Sequence, residues 1–286
     1  MLNLFGHEFV QNAFLAGTLV AIICAVVGYF VVLRGQAFAG ETLSHIGFTG
    51  ATGAALLGMP PLFGVFILTV LAALIMGALG KRLRGRDVEI GMVLSFMLGL
   101  GVLFLSLYTQ HATETVNLLF GSILSITHAT VLITLGVALG SLVFLAFLFR
   151  PLLFASIDPA VAEARGIPVQ GLSIVFLFLL AFTVSEAVLV VGVLLVFALL
   201  LVPTSSAEHL TRRPLTTLGL AVAISLVSTW GGLALAFIGH WPVSFYIVAL
   251  TSGFYFFARL ANHLQNPRRH RSPEHPDKEV VEPSAD

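Results

Sequence analysis

Long apolar stretches separated by short polar turns run through most of this chain. A membrane-crossing helix needs about 20 largely apolar residues. Seven stretches meet that need, namely 9–33, 37–58, 60–80, 88–108, 128–149, 215–238 and 242–260. An eighth stretch, 171–207, is too long for one span, and we interpret it as two short crossings with a turn near 187–192. No barrel-like alternation is present, so the pattern predicts an all-α polytopic membrane protein.

The basic residues predict the direction of each crossing, because Lys and Arg in short loops stay on the cytoplasmic side. If Arg34 is cytoplasmic, the N-terminus lies outside, and the cluster 81–86 then also falls on the cytoplasmic side. Arg165 and Arg212 share that side, so the stretch between them must cross an even number of times. We therefore expect about nine crossings, with the C-terminus inside; a re-entrant hairpin in place of the two crossings of 171–207 would keep this parity.

Composition supports the membrane assignment and excludes several other classes. Of the 286 residues, 58% are hydrophobic and 10% are charged, whereas soluble domains carry about 25% charged residues. The single cysteine, Cys24, excludes a disulfide framework or a Cys-rich metal site. The Gly-x4-Gly-Lys-Ser/Thr pattern of ATP-binding loops is absent, and so is a cleavable signal peptide pattern. No nucleophile–base pair indicates an enzyme, and we expect no nucleic-acid partner.

The chain divides into a membrane part and a tail. Residues 1–261 form the predicted transmembrane domain. Residues 262–286 are charged and rich in proline, which predicts a disordered cytoplasmic tail. The basic start of this tail either touches anionic lipid headgroups or is a solvated anchor.

The second apolar stretch differs from the others because it carries an acid and an imidazole. Glu41 and His45 are four residues apart, so they share one helix face. An ionisable group in the bilayer costs at least about 2.5 kcal/mol, which favours a functional explanation. A carboxylate and an imidazole at this spacing suit Zn²⁺ or Mn²⁺. The alternative is that the two side chains satisfy each other by a hydrogen bond.

Other acids and histidines are weaker candidates for a cation path. Glu186 lies in an otherwise apolar helix near its outer end. The remaining candidates lie in or next to predicted outer loops, where a funnel for a cation or simple hydration are the alternatives; they are His111, Glu114, His128 and His240.

A short helix is predicted on the cytoplasmic face at 158–166. Asp158 is a suitable N-cap, Pro159 suits the first helical position, and Gly166 suits a left-handed stop. Glu163 and Arg165 would then be available to a docking partner. The alternative is a surface helix that only covers a loop.

Together these features resemble the permease subunits of ABC importers for manganese, zinc and related metal ions. The resemblance covers about residues 9–260 and rests on the stretches 32–45, 87–91, 119–124, 158–166 and 191–203. Each stretch alone is weak, whereas the set is specific.

The resemblance implies a homodimer of the type II importer kind in a bacterial inner membrane. Two copies of a separate ABC ATPase would dock on 158–166, and an extracytoplasmic metal-binding protein would deliver the ion. No cofactor would be bound permanently, because the divalent metal, Zn²⁺ or Mn²⁺ or else iron, is cargo. The family's acid at the first motif position is usually Asp, whereas this chain has Glu41, and His45 keeps the imidazole.

Two alternatives stay open at this point. One is a permease for a metal chelate such as a siderophore or cobalamin, which needs a wider path and is usually a longer chain. The other is a cation carrier or channel that works without ATP.

Overall fold

The fold is a bundle of helices, seen in a computed structural model that describes residues 8–79, 87–107, 121, 126–211, 213–239 and 241–265. Those residues contain no β-strand. The helices are α1 (Glu8–Leu33), α2 (Ala37–Leu56), α3 (Pro61–Leu79), α4 (Asp87–Leu107), α5 (His128–Ile157), α6 (Pro159–Ala164), α7 (Val169–Val191), α8 (Val193–Leu210), α9 (Pro214–Ile238) and α10 (Val243–Gln265).

α1 and α7 lie at the centre of the bundle. α1 packs against α5, α7, α8 and α9. Its fully buried Phe30 contacts two of these helices, α5 and α7. Its ring lies 5.4 Å from that of Phe149 in α5 and 6.2 Å from that of Phe176 in α7. On another side of α1, a Cβ added at Gly28 would lie 1.8 Å from the carbonyl oxygen of Leu200 in α8. The absence of a side chain at position 28 therefore permits the close crossing of α1 and α8.

α2 packs against α3, α4, α7 and α8. Its closest approach to a neighbour is at Gly50, where an added Cβ would lie 2.3 Å from the carbonyl oxygen of Gly64 in α3. Small residues at a helix interface allow this kind of approach in membranes. α2 is therefore held on one side by α3, while α4 covers another part of it.

The long stretch 171–207 forms two helices, as the sequence predicted. α7 ends at Val191 and α8 begins at Val193, and Gly192 between them has a φ of 86°. This left-handed conformation is available to glycine at little cost. The single residue therefore divides one apolar stretch into two packed helices.

Six described helices are long and apolar enough to cross a membrane, namely α1, α5, α7, α8, α9 and α10. Within α3 and α4, the apolar parts Pro61–Gly77 and Gly91–Leu107 are shorter. α2 falls outside both groups, since it carries the acid, the imidazole and several hydroxyl residues. The described residues thus support a polytopic helical membrane protein, and the count of nine crossings stays a prediction.

Two predicted helix ends were wrong. α5 does not stop at residue 149 but continues through Pro151 to Ile157, since Leu152 and Ala155 are buried in the bundle. α10 runs to Gln265, beyond the predicted helix end at 260 and into the first residues of the predicted tail. The rest of the predicted disordered tail, 266–286, lies outside the described residues.

Candidate functional site

Glu41 and His45 lie in the half of α2 that adjoins the α1–α2 turn. At 1.5 Å of rise per residue, they are about 6 and 12 Å from Ala37, the first residue of α2. Both side chains are half-buried, whereas Leu43 and Ser44 between them are buried. The two functional groups therefore face the same partly open side of the helix.

No hydrogen bond or ion pair joins Glu41 to His45, although they are close enough to interact electrostatically. Nδ1 of His45 is buried and has no hydrogen-bond partner. The alternative that these side chains satisfy each other by a hydrogen bond is therefore not the arrangement found. A buried polar atom without a partner is unfavourable by about 1–3 kcal/mol, and an oxygen and a nitrogen left open together are suitable metal ligands.

Among the described residues of one chain, α2 supplies two of these ligands. Within the described ranges, no group of three or more His, Cys, Asp and Glu side chains is arranged to hold a metal ion. Two protein ligands are fewer than the three or four typical of a Zn²⁺ site. A complete coordination sphere at Glu41 and His45 therefore needs further ligands beyond this pair.

Hydroxyl groups extend the polar face of α2, and the sequence reasoning missed them. Thr49 follows His45 by one turn, and its Oγ1 lies 2.5 Å from the carbonyl oxygen of Met97 in α4, to which it donates. Thr42, next to Glu41, is 1% exposed, and its Oγ1 has no hydrogen-bond partner. The i, i+4, i+8 spacing of positions 41, 45 and 49 was the available signal.

Glu186 has a different environment. It lies on α7 and its Oε1 accepts a hydrogen bond of 2.6 Å from Oγ1 of Thr134 in α5. The adjacent Ser185 forms a hydrogen bond with a different helix, because its Oγ lies 2.6 Å from Oγ1 of Thr69 in α3. The described structure does not bring Glu186 into one cluster with the pair on α2.

The predicted outer funnel is mostly outside the structure. His111, Glu114 and His240 lie outside the described residues. His128 is the exposed first residue of α5, where Thr127 caps the helix by accepting from the backbone N–H of Thr130 at 3.3 Å. As a ligand, His128 stays a prediction.

The short helix predicted at 158–166 is present as α6, and its cytoplasmic location stays a prediction. The Asp158 carboxylate accepts a 3.0 Å hydrogen bond from the N–H of Val161, and Pro159 is the first helical residue. Gly166 has a φ of 80° and donates to the carbonyl of Glu163 at 2.9 Å, closing the helix. The local structure predicted from these residues is confirmed.

α6 presents charge outwards while its other side is packed. Asp158, Glu163 and Arg165 are exposed, whereas Ala162 is fully buried. The Arg165 guanidinium lies 5.5 Å from the centre of the Phe154 ring in α5. α6 therefore offers an acid and a base at its surface while remaining attached to the bundle.

The chain is similar to known proteins in sequence and in fold. The model of the ABC 3 transport family matches residues 6–262. The manganese transport system membrane protein MntC of Halalkalibacterium halodurans is 32% identical over 81% of this chain and 80% of its own length. The high-affinity zinc uptake system membrane protein ZnuB of Haemophilus influenzae is 30% identical over 80% and 88%. The solved structure of PsaBC from Streptococcus pneumoniae in complex with Fab superposes with a TM-score of 0.81 at 25% identity, covering 92% of this chain and 98% of that one.

Proposed function

Because this chain belongs to the ABC 3 transport family, we propose that it is the membrane permease subunit of an ATP-driven importer of divalent metal ions. Zinc and manganese are the cargo named for its relatives, and iron is the third candidate. The chain itself has a transport role, and a separate ATPase subunit hydrolyses ATP.

The ion passes the bundle at Glu41 and His45. The observation that carries this proposal is the buried Nδ1 of His45, which has no partner while Glu41 is nearby but not bonded to it. Two such atoms from each of two copies provide up to four ligands near a two-fold axis. Carboxylate and imidazole suit Zn²⁺ or Mn²⁺, and a mixed set without thiolate fits a transit site that must release its ion.

The second copy has an open apolar surface available on α5. Gly136 and Gly140 are exposed, one turn apart, and an added Cβ at either would meet nothing within 4 Å. Leu132, Leu139 and Phe147 are exposed beside them. This face supports close packing of a second helix.

Alternating access moves the ion. We expect an extracytoplasmic metal-binding protein to release the ion between the two copies. Two ATPase subunits dock on α6, through Glu163 and Arg165, and their ATP cycle changes which end of the path is open. The orientation follows from the basic residues: N-terminus outside, C-terminus in the cytoplasm and about nine crossings of the bacterial inner membrane.

The experiment is uptake of a labelled ion by proteoliposomes that contain the chain with its ATPase, loaded outside with the metal-binding protein. We expect Glu41→Ala and His45→Ala to abolish uptake of free Zn²⁺ or Mn²⁺. The matched control is Glu8→Ala, which removes an exposed carboxylate at the start of α1. Unchanged uptake in both site variants would remove the site assignment.

Two further arms separate the alternative functions. Liposomes with the chain alone test an ATP-independent carrier, and we expect no uptake from them. Supplying the ion as a siderophore or cobalamin complex tests a chelate permease, and we expect the free ion to be preferred.

A further inference from the structure

Arg34, at the end of α1, reaches across to two other helices. Its Nη1 donates to Oγ of Ser156 near the end of α5 at 3.3 Å, and its Nη2 donates to Oγ of Ser173 in α7. The guanidinium carbon also lies 5.6 Å from the centre of the Phe176 ring. The half-buried side chain therefore connects the ends of three helices.

The two serines are oriented to accept these hydrogen bonds. Oγ of Ser156 lies 2.5 Å from the carbonyl oxygen of Leu152, and Oγ of Ser173 lies 2.9 Å from that of Val169. A hydroxyl has a single hydrogen, so donation to the backbone leaves its lone pairs facing the guanidinium group. The planar fork of arginine can serve two acceptors at once, whereas the point charge of lysine cannot do so in the same geometry.

Ser156 and Ser173 stand on either side of α6 in the chain. Ser156 precedes the Asp158 cap by two residues, and Ser173 lies in the first half of α7. Arg34 therefore bridges both ends of the segment that presents α6. Movement of α6 together with these ends either breaks the bridge or displaces Arg34.

On its other side, Arg34 is joined to α2 by a turn with little freedom. Gly35 has a φ of 62° and donates to Val32, while the N–H of Gln36 donates to the carbonyl of Val31 at 2.9 Å. This is a Schellman stop. The carbonyl of Gln36 then accepts from the N–H groups of Ala39 and Gly40 in the first turn of α2. The end of α1 and the start of α2 therefore share one hydrogen-bonded unit.

We propose that Arg34 is the positioning residue that transmits movement of α6 to Glu41 and His45. The bridge to Ser156 and Ser173 connects it to α6, and the turn at Gly35 and Gln36 connects it to α2. Displacing Arg34 tilts α2 at its Arg34 end, where the metal ligands lie. This inference rests on the proposed function, because it assumes that an ATPase moves α6.

The test uses the full complex with its ATPase in proteoliposomes, with and without metal-loaded binding protein outside. Four quantities are measured: co-purified ATPase, ATP hydrolysis without the binding protein, its stimulation by the loaded binding protein, and uptake of Mn²⁺ or Zn²⁺. For Arg34→Gln we expect normal assembly and unstimulated hydrolysis. Stimulation and uptake should fall at least about tenfold, within the range of known coupling effects.

Three further variants make the test specific. Ser156→Ala combined with Ser173→Ala should reproduce Arg34→Gln, and the triple variant should be no worse, because all three residues form one unit. Arg34→Lys should be intermediate. Arg150→Gln is the matched control, since it removes an exposed arginine from the same part of α5, and it should behave as wild type.

Several outcomes would overturn the inference. Stimulation and uptake within about twofold of wild type in both Arg34→Gln and the double serine variant would do so. Loss of assembly in proportion to uptake in both would show a structural role instead. If Arg34→Gln alone fails to assemble, the double serine variant decides. Loss of its stimulation and uptake supports the inference, and normal stimulation and uptake overturn it. Failure of the site assignment is visible separately, because Glu41 and His45 variants would then retain bound metal and uptake, whatever Arg34→Gln does to stimulation.

Discussion

Two half-buried acids in this bundle, Glu41 on α2 and Glu186 on α7, have opposite surroundings. Glu186 accepts a 2.6 Å hydrogen bond from Thr134 of a neighbouring helix. Glu41 forms no hydrogen bond with any described residue, and Nδ1 of its neighbour His45 has no partner. Both acids lie in stretches that the sequence predicts as apolar helices, so the apolar pattern of the sequence does not distinguish them.

We propose that this difference separates an acid with a structural role, Glu186, from one that is open to an ion, Glu41. A buried polar group is normally hydrogen-bonded within the protein, and Glu186 follows this rule by linking α5 and α7. The buried Nδ1 of His45 departs from it, and we propose that a passing ion bound also by Glu41 is its partner. We therefore expect substitutions at the two places to affect different quantities.

The largest effect is expected when Glu41 loses its charge and His45 loses its imidazole nitrogens. Glu41→Gln with His45→Gln should lower uptake and bound metal at least about 100-fold, since even indirect ligand contacts are worth 10–100-fold. Glu186→Gln, which keeps the shape and one acceptor, should keep bound metal near wild type. Metal content of the purified complex after equilibration with Mn²⁺ or Zn²⁺ measures both. An equal loss of bound metal in the Glu41/His45 variant and in Glu186→Gln would show that the two acids do not differ in role.

A smaller effect is expected from moving α2 without altering its ligands. Gly50→Ala places a methyl group against the carbonyl of Gly64, so α2 and α3 must separate. Overpacking of this kind lowers the free energy of unfolding by about 1–3 kcal/mol. Thermal unfolding in detergent measures it.

The control for that change is Gly219→Ala, at an exposed position of α9 where an added Cβ meets nothing within 4 Å. Its melting temperature should stay close to wild type. A melting temperature for Gly50→Ala that also equals wild type would show that the α2–α3 contact is looser than described.

The next effect concerns the paired acid. Thr134→Val removes the donor to Glu186 and leaves the carboxyl group buried without it. Hydrogen bonds between membrane helices are worth roughly 0.6–2 kcal/mol, so the free energy of unfolding should fall by about 1 kcal/mol. Thr134→Ser keeps the hydroxyl and should retain most of the stability. Uptake lost in Thr134→Val with stability unchanged would indicate that Glu186 belongs to the ion path.

The smallest effect is expected for Glu41→Asp. The substitution keeps the charge and introduces the acid usual at this motif position, with an arm shorter by one methylene. Uptake should stay within about tenfold of wild type, in contrast to Glu41→Gln. Competition between Mn²⁺ and Zn²⁺ would show whether the arm length changes preference. A loss as large as that of Glu41→Gln would mean that geometry matters as much as charge.

Local features were predictable wherever a short run of residues specifies its own backbone. α6 is the clearest case, because Asp158, Pro159 and Gly166 act within one or two turns. The division of the stretch 171–207 was also predicted, although the single residue Gly192 makes the turn. The end of α5 was not predictable, because burial of Leu152 and Ala155 against other helices overrides the signal of Pro151.

The amino-acid sequence by itself determined the class of the protein, its division into apolar helices and the i, i+4 placement of Glu41 and His45. These follow from hydropathy and helical periodicity, which are local properties. Tertiary structure alone decided that His45 is left open while Glu186 is bonded to Thr134. It also decided that Arg34, for which the sequence predicted no hydrogen-bond partner, bridges Ser156 and Ser173. Those partners are more than a hundred residues away, and only packing of the helices brings them within reach.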